Sequence, residues 1–273
     1  MKKSGFTLKD VQDVYGGPEG KLWELVMGEQ IHIGGWKSSM ELAQKAGIKK
    51  GMRVLDLCSA LGAGLRFLST NFGARGYGLD GTMRMVSESR KRIKAEGFAK
   101  QIEIRFGDVT KNPWPDKTFD VIWGEDAWCY VEDKNKLVSE ASRVLKKNGV
   151  IAFTDWTEGD AGLTSSQAER INNFMKFPHM ESRKGYEKIL KENGFIIKYS
   201  EDLGKDFARH IRLYIDMLSE QLAFDALKII GGDLALFQAM GGEMAFMLKM
   251  AEAGKFSRAR IIAIKASRQA AFI

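Results

Sequence analysis

The chain has 273 residues, 44% hydrophobic and 28% charged, with 42 Lys and Arg against 35 Asp and Glu. That balance excludes a disordered or collagen-like chain and leaves one large α/β domain or two small ones. Two cysteines, Cys58 and Cys129, are too few for a disulfide framework. The three scattered histidines (His32, His179, His210), with no CxxC pair, make no metal motif. The net charge of +7 raises a nucleic-acid or anionic-membrane partner as a reading for the rest of the chain to support.

The N-terminal stretch lacks the apolar core of a signal peptide, since Lys9 and Asp10 interrupt it, and no segment reaches the roughly 18 uncharged apolar residues of a membrane span. A cytoplasmic protein is therefore expected. Residues 5–50 read as helical, with a turn at Ile31-His32-Ile33-Gly34-Gly35-Trp36. Val54-Leu55-Asp56-Leu57 predicts a buried strand, and 64–72 a helix closed by Gly73. Gly76 to Asp80 predicts a second strand, followed by a basic helix that stops near Gly97. Ile102 to Phe106 alternates as a strand, Phe119 to Trp123 is another, and Asn135 to Leu145 is an amphipathic helix. Gly149 to Phe153 gives a fifth strand. Strands alternating with helices of this length form βαβ units and a mostly parallel sheet. Residues 206–252 read as long amphipathic helices, with Phe207, Ile211, Tyr214 and Leu218 at helical spacing, and Ala259 to Lys265 as a last strand.

Ligands bind such sheets beyond the carboxyl ends of the strands. Those ends carry Asp56-Leu57-Cys58-Ser59-Ala60-Leu61-Gly62-Ala63-Gly64, then Asp80-Gly81, Gly107-Asp108-Val109 and Gly124-Glu125-Asp126. Small residues let the backbone approach a ligand, and a carboxylate accepts from both hydroxyls of a ribose. Asp80 follows Asp56 by 24 positions, near the spacing of a ribose-binding acid. No P-loop is present, and Cys58 and Ala60 stand where a dinucleotide fingerprint has glycine. A second acid after the third strand, placed for an adenine amino group, fits S-adenosylmethionine better.

On these residues the chain resembles the class I S-adenosylmethionine-dependent methyltransferases over about 10–265. The resemblance implies a Rossmann-like sheet with helical caps from the N- and C-terminal regions. It implies a single domain: an N-terminal cap over 1–50, a cofactor-binding core over 51–156, mixed helical cap and sheet over 157–258, and the last strand and tail over 259–273. It assigns the cofactor to Asp56, Cys58, Ala60, Gly62, Asp80, Gly81, Asp108, Val109, Glu125 and His32, with S-adenosylhomocysteine as product and no metal. Altered affinity rather than lost binding is expected from Cys58 and Ala60. Within the class, Gly28 to Gly34, Trp123 to Ala127, Arg143 to Lys146, Thr154-Asp155, His179-Met180 and Glu252 to Lys255 are similar to sarcosine/dimethylglycine N-methyltransferases and, more distantly, to phosphoethanolamine methyltransferases.

The same resemblance makes Asp126, Tyr130 and Tyr15 the candidate catalytic residues; Trp128 and Trp156 at the ends of the fourth and fifth strands, Trp23 of the N-terminal cap, His179 and Tyr186 are the candidates for a substrate pocket, with packing of helices or lid on the sheet the alternative for each aromatic. It also marks departures: Glu125 stands where the phosphoethanolamine enzymes have an arginine, which disfavours a phospho-base. Tyr130 replaces a histidine, so a Tyr–His proton relay with Tyr15 does not carry over. Tryptophans beside acids suit a cationic amine through cation–π attraction. Arg183, Lys184 or Arg212 is expected to grip any substrate carboxylate. The first reading is N-methylation of an amine such as sarcosine or dimethylglycine. The alternatives are O- or C-methylation of an apolar natural-product-like molecule, an RNA methyltransferase, and a silent cofactor-binding protein. The surplus charge is spread in short runs such as Arg90-Lys91-Arg92, which argues against nucleic acid and membrane. An oligomer is compatible with the sequence.

Overall fold

The computed structural model describes residues 4–266; the first three residues and the tail over 267–273 lie outside it. Among the described residues the strands are β1 (Arg53–Leu57), β2 (Arg75–Asp80), β3 (Ile102–Phe106), β4 (Phe119–Glu125), β5 (Leu145–Glu158), β6 (Phe195–Asp202) and β7 (Phe256–Lys265). They form one sheet in the order β3-β2-β1-β4-β5-β7-β6. The first five are parallel, and β7 enters antiparallel between β5 and β6.

The central strands are continuous apolar runs because helices cover both faces. Val54, Leu55 and Leu57 of β1 and Ile122 and Trp123 of β4 are fully buried. Around them pack α4 (Ala63–Phe72), α5 (Met83–Ala95) and α6 (Lys134–Val144), with α8 (Arg183–Glu192) behind β6. α4 and α6 present Leu65, Leu68, Leu137, Val138 and Ala141 to the sheet. Beyond β3 the chain crosses back to β4 beside β1, so the strand order reverses between β1 and β4. That reversal opens a crevice at the carboxyl ends of the strands.

Two helical groups close the crevice. The first is α1 (Leu8–Gly16), α2 (Pro18–Met27) and α3 (Gly35–Ala46), with a 3-10 turn at Gly28–Gln30. It is latched onto the core at several points: Gln12 Nε2 donates to Gly81 O at 2.7 Å, Arg84 to Tyr15 O at 2.7 Å, and Arg92 pairs with Glu24 at 2.5 Å. The second comprises α7 (Ser165–Met175), α9 (Gly204–Ser219), α10 (Ala223–Ile229) and α11 (Leu234–Glu252). Phe207, Ile211 and Tyr214 form its buried stripe, and Leu218 is partly buried.

Three elements depart from the sequence reading. β5 runs from Leu145 to Glu158 and β7 begins at Phe256, so both exceed the apolar segments that announce them. The two strands pair along nine positions, Val150 to Glu158 against Ile264 to Phe256, and that ladder carries β5 past Phe153 and β7 back to Phe256, while Leu145 pairs with Phe119 of β4. β6 is an exposed edge strand whose Ile196, Lys198 and Tyr199 face solvent, so no period-two signal marks it.

Candidate functional site

A cleft of about 360 Å³ lies at the carboxyl ends of β1 to β4. Asp56, Cys58, Ala60, Asp80, Gly81, Asp108, Val109, Glu125 and His32 all line it, as do Tyr15, Asp126 and Tyr130. Gly62 does not. It caps α4 at φ +67° with its Cα turned onto Ser89, behind the loop.

The loop after β1 is strained. Cys58 and Ala60 both adopt left-handed backbone, at φ +66° and +43°. A non-glycine residue there costs about 1–2 kcal/mol. Asp80 holds the loop in place: its carboxylate accepts from Ala60 N and Thr82 N, each at 2.8 Å. Burial raises its pKa to about 6, against the pull of those two amides. Asp108 is fixed by accepting from Thr110 N and Oγ1 at 2.8 Å.

Asp56 and Glu125 stand on adjacent strands. Burial, then the charges of Glu125 and Asp80, push the Asp56 carboxyl well above the usual range. Glu125 is clamped. Ser39 Oγ donates to its Oε1 at 2.8 Å and Trp123 Nε1 to its Oε2 at 3.0 Å. His32 reaches the same group, with Nε2 3.1 Å from Ser39 Oγ and 3.4 Å from Glu125 Oε1. Its Nδ1 faces the Ile33 carbonyl at 3.1 Å, so Nδ1 carries a proton. Gly64 approaches this pair so closely that a Cβ would sit 3.2 Å from Glu125 Oε2 and 3.5 Å from Asp56 Oδ2.

This donor set can be tested against S-adenosylmethionine. Crowded, desolvated carboxylates require a cation or several hydroxyl donors. The ligand offers an ammonium, a sulfonium, two ribose hydroxyls and an adenine amine. Asp80 and Asp108 can take the ribose and adenine donors, and Asp56 with Glu125 the cationic end. The residues fit the group.

Beyond Tyr15, Ile31, Asp126 and Tyr130 the cleft borders a small cavity of about 10 Å³, walled also by Trp23, Trp156 and Phe177. Tyr15 and Tyr130 meet edge to face at 5.2 Å, Tyr130 and Phe177 at 5.0 Å, and Trp23 and Trp156 at 6.4 Å. Burial pushes both tyrosine hydroxyls above their ordinary range. Neither is a base at neutral pH.

Four residues that the sequence places at the reacting centre or in the substrate pocket need correction, and each has a steric or hydrogen-bonding cause. Asp126 reaches the site, but its carboxylate is consumed: Arg258 Nε donates to it at 2.7 and 3.0 Å, and Ile33 N at 2.8 Å. It is a strut rather than a free acid. Trp128 turns inward, stacks on Phe153 at 4.2 Å and donates to Leu57 O at 3.2 Å. Gly124 is what admits it, since a Cβ there would lie 2.4 Å from the Trp128 indole nitrogen. Tyr186 is fully buried on Asp155. His179 pairs with Glu181 at 3.1 Å, while its carbonyl accepts from Lys134. The three cations expected near a substrate carboxylate are paired elsewhere: Arg183 and Lys184 with Asp160, and Arg212 with Glu252.

Arg258 is the residue that sequence reasoning missed. It is 1% exposed and donates also to Ser38 Oγ at 3.0 and 3.1 Å and Thr154 Oγ1 at 2.9 Å. One guanidinium thus joins α3, the turn after β4, β5 and β7 beside the cleft. The only sequence signal was a pair of arginines alternating within a strand otherwise apolar. Among the described residues no cluster of His, Cys, Asp and Glu could hold a metal ion, and no helix is long and apolar enough to cross a membrane.

Residues 55–153 match the family described as methyltransferase domain. The chain is 27% identical over 240 residues to phosphoethanolamine N-methyltransferase 3 of Arabidopsis thaliana, covering 84% of this chain and 48% of that protein. It is 26% identical over 225 residues to the sarcosine/dimethylglycine N-methyltransferase of Aphanothece halophytica, covering 76% of each. Its fold is similar to that of the Haemonchus contortus phosphoethanolamine N-methyltransferase 2 solved with phosphomonomethylethanolamine and S-adenosylhomocysteine. There the TM-score is 0.84 at 20% identity, over 96% of this chain and 60% of that one. The chain spans less than half the length of the first curated relatives it matches.

Proposed function

We propose that this chain, which carries a class I S-adenosylmethionine-dependent methyltransferase domain, transfers a methyl group to the nitrogen of a small amine. The observation that carries the reading is the aromatic cavity beside the acidic cleft. Its walls are Tyr15, Trp23, Tyr130, Trp156 and Phe177, with no Lys or Arg among its lining residues. Two relatives named for N-methylation of amines support the choice of nitrogen.

When bound, S-adenosylmethionine supplies an electrophilic methyl group on a sulfonium sulfur. The chain supplies position and exclusion of water. Asp80 would accept from the ribose hydroxyls and Asp108 from the adenine amine, while Asp56 and Glu125 hold the cationic end. Tyr15 and Tyr130, kept neutral by burial, offer hydroxyls that orient the acceptor. No free base faces the cavity, because Arg258 and Ile33 N occupy Asp126. The acceptor must therefore give up its proton to water before it enters, and it reacts as the neutral amine with its lone pair free. Aromatic faces then favour the ammonium that forms.

The cavity offers no cation to a carboxylate or phosphate. An amine without either is the favoured acceptor, ahead of sarcosine and dimethylglycine. The test is a turnover screen of dimethylamine, trimethylamine, sarcosine, dimethylglycine and phosphoethanolamine, read as S-adenosylhomocysteine formed. Preference for the uncharged-tail amines supports the reading. Methylation of phenols or carbon acids with none of the amines overturns it.

A further inference from the structure

A second cavity of about 140 Å³ lies on the far side of the aromatic one, between α2, α7, α9, α10 and α11. The two share Trp23 and Met175 as common walls. Leu22, Leu218, Phe237 and Met244 are among the apolar residues of the rest, and the polar side chains at it are confined to Glu19, Lys176 and Ser219. Its volume is close to that of an apolar protein cavity that holds benzene. The partition is thin and adaptable: Met175 ends α7, its thioether side chain has three rotatable bonds, and Lys176 after it adopts φ +55°. The small cavity in front has room for about one water-sized group, so its aromatic walls must shift to take a methylated nitrogen.

From these shared walls we infer that the second cavity receives an apolar substituent of the methyl acceptor, an alkyl chain or ring of about six carbons, which reaches it as the Trp23 and Met175 side chains move aside. The acceptor class is then a lipophilic amine, with its nitrogen among Tyr15, Tyr130 and Trp156 and its tail among the C-terminal helices. The inference rests on the amine reading for the position of the nitrogen. It accounts for methionines and phenylalanines of α7 and α11 that line space instead of filling it.

The experiment uses the full chain with a series of N,N-dimethylalkylamines from methyl to hexyl. Affinity is measured by calorimetry in the presence of S-adenosylhomocysteine, and turnover by product formation. Gly241 lines the second cavity, and a Cβ built on it meets nothing within 4 Å, so Gly241→Phe adds bulk at its edge without a backbone clash. The expected result is affinity and kcat/KM rising about threefold to fourfold per methylene, the worth of about 0.8 kcal/mol of apolar burial. That dependence should flatten in Gly241→Phe. Turnover of short amines with no length dependence overturns the inference and leaves the amine reading standing. Length-dependent binding with no turnover of any amine supports the tail site and overturns the amine reading. The series on the unmodified chain decides by itself should the variant fail to fold.

Discussion

Removing the Arg258 partner should separate a structural from a catalytic role for Asp126. In Asp126→Asn the guanidinium keeps Ser38 and Thr154 but loses the carboxylate that neutralises it, with both side chains 1% exposed. Breaking a buried pair from one side costs about 3–5 kcal/mol, because an uncompensated charge stays in the interior. Unfolding 273 residues at about 2.1 cal/mol/K each carries about 0.6 kcal/mol/K, so Tm should fall by about 5–9 °C. Arg258→Met should cost a similar amount. The double variant should cost clearly less than the sum, since both charges are then gone. Thermal unfolding of the four proteins gives the cycle, and turnover is measured well below the lowered Tm. An Asp126→Asn protein as stable as the parent but devoid of methyl transfer would refute the strut and restore Asp126 as the reacting group.

Further outcomes follow from the cleft. Asp56→Asn removes a desolvated charge from beside Glu125 and Asp80, so the ligand-free protein should gain about 1 kcal/mol of stability while S-adenosylmethionine binds about 10- to 100-fold more weakly. Calorimetry and thermal unfolding read both, and a loss of stability would contradict the crowding of these acids. Ala60→Gly relieves a left-handed backbone and should stabilise by about 1 kcal/mol with cofactor affinity kept; equal or lower stability would mean that the loop is unstrained. Asp80 and Asp155, both raised by burial to about 6, bind their protons more tightly folded than unfolded. Ligand-free stability should therefore fall as pH rises from about 5 to 6.5, by up to about 1.4 kcal/mol per pH unit for each. Cofactor affinity should move the other way, weakening below about pH 6 as Asp80 becomes protonated. A Tm that climbs through that range contradicts both assignments.

Much of the core was legible because a strand buried on both faces is written as a short apolar run. Val54 to Leu57 and Phe119 to Trp123 announce β1 and β4, and the acids that close them announce the cleft. The caps were legible as helices but not as walls. Which way an aromatic points depends on one turn: the 3-10 segment Trp128–Tyr130 sends Trp128 under the sheet and Tyr130 into the cavity, two residues apart. Arg258 was illegible for another reason. Its partners Ser38, Asp126 and Thr154 lie on three other elements, and no local spacing records a contact 220 residues apart.

The most direct test of the account follows a labelled methyl group. The chain is incubated with methyl-labelled S-adenosylmethionine and N,N-dimethylhexylamine, and the products are read by mass spectrometry. The account predicts label on the amine nitrogen, one S-adenosylhomocysteine per methyl, and neither in Asp80→Ala. A protein that binds the cofactor and leaves every amine unlabelled would contradict it.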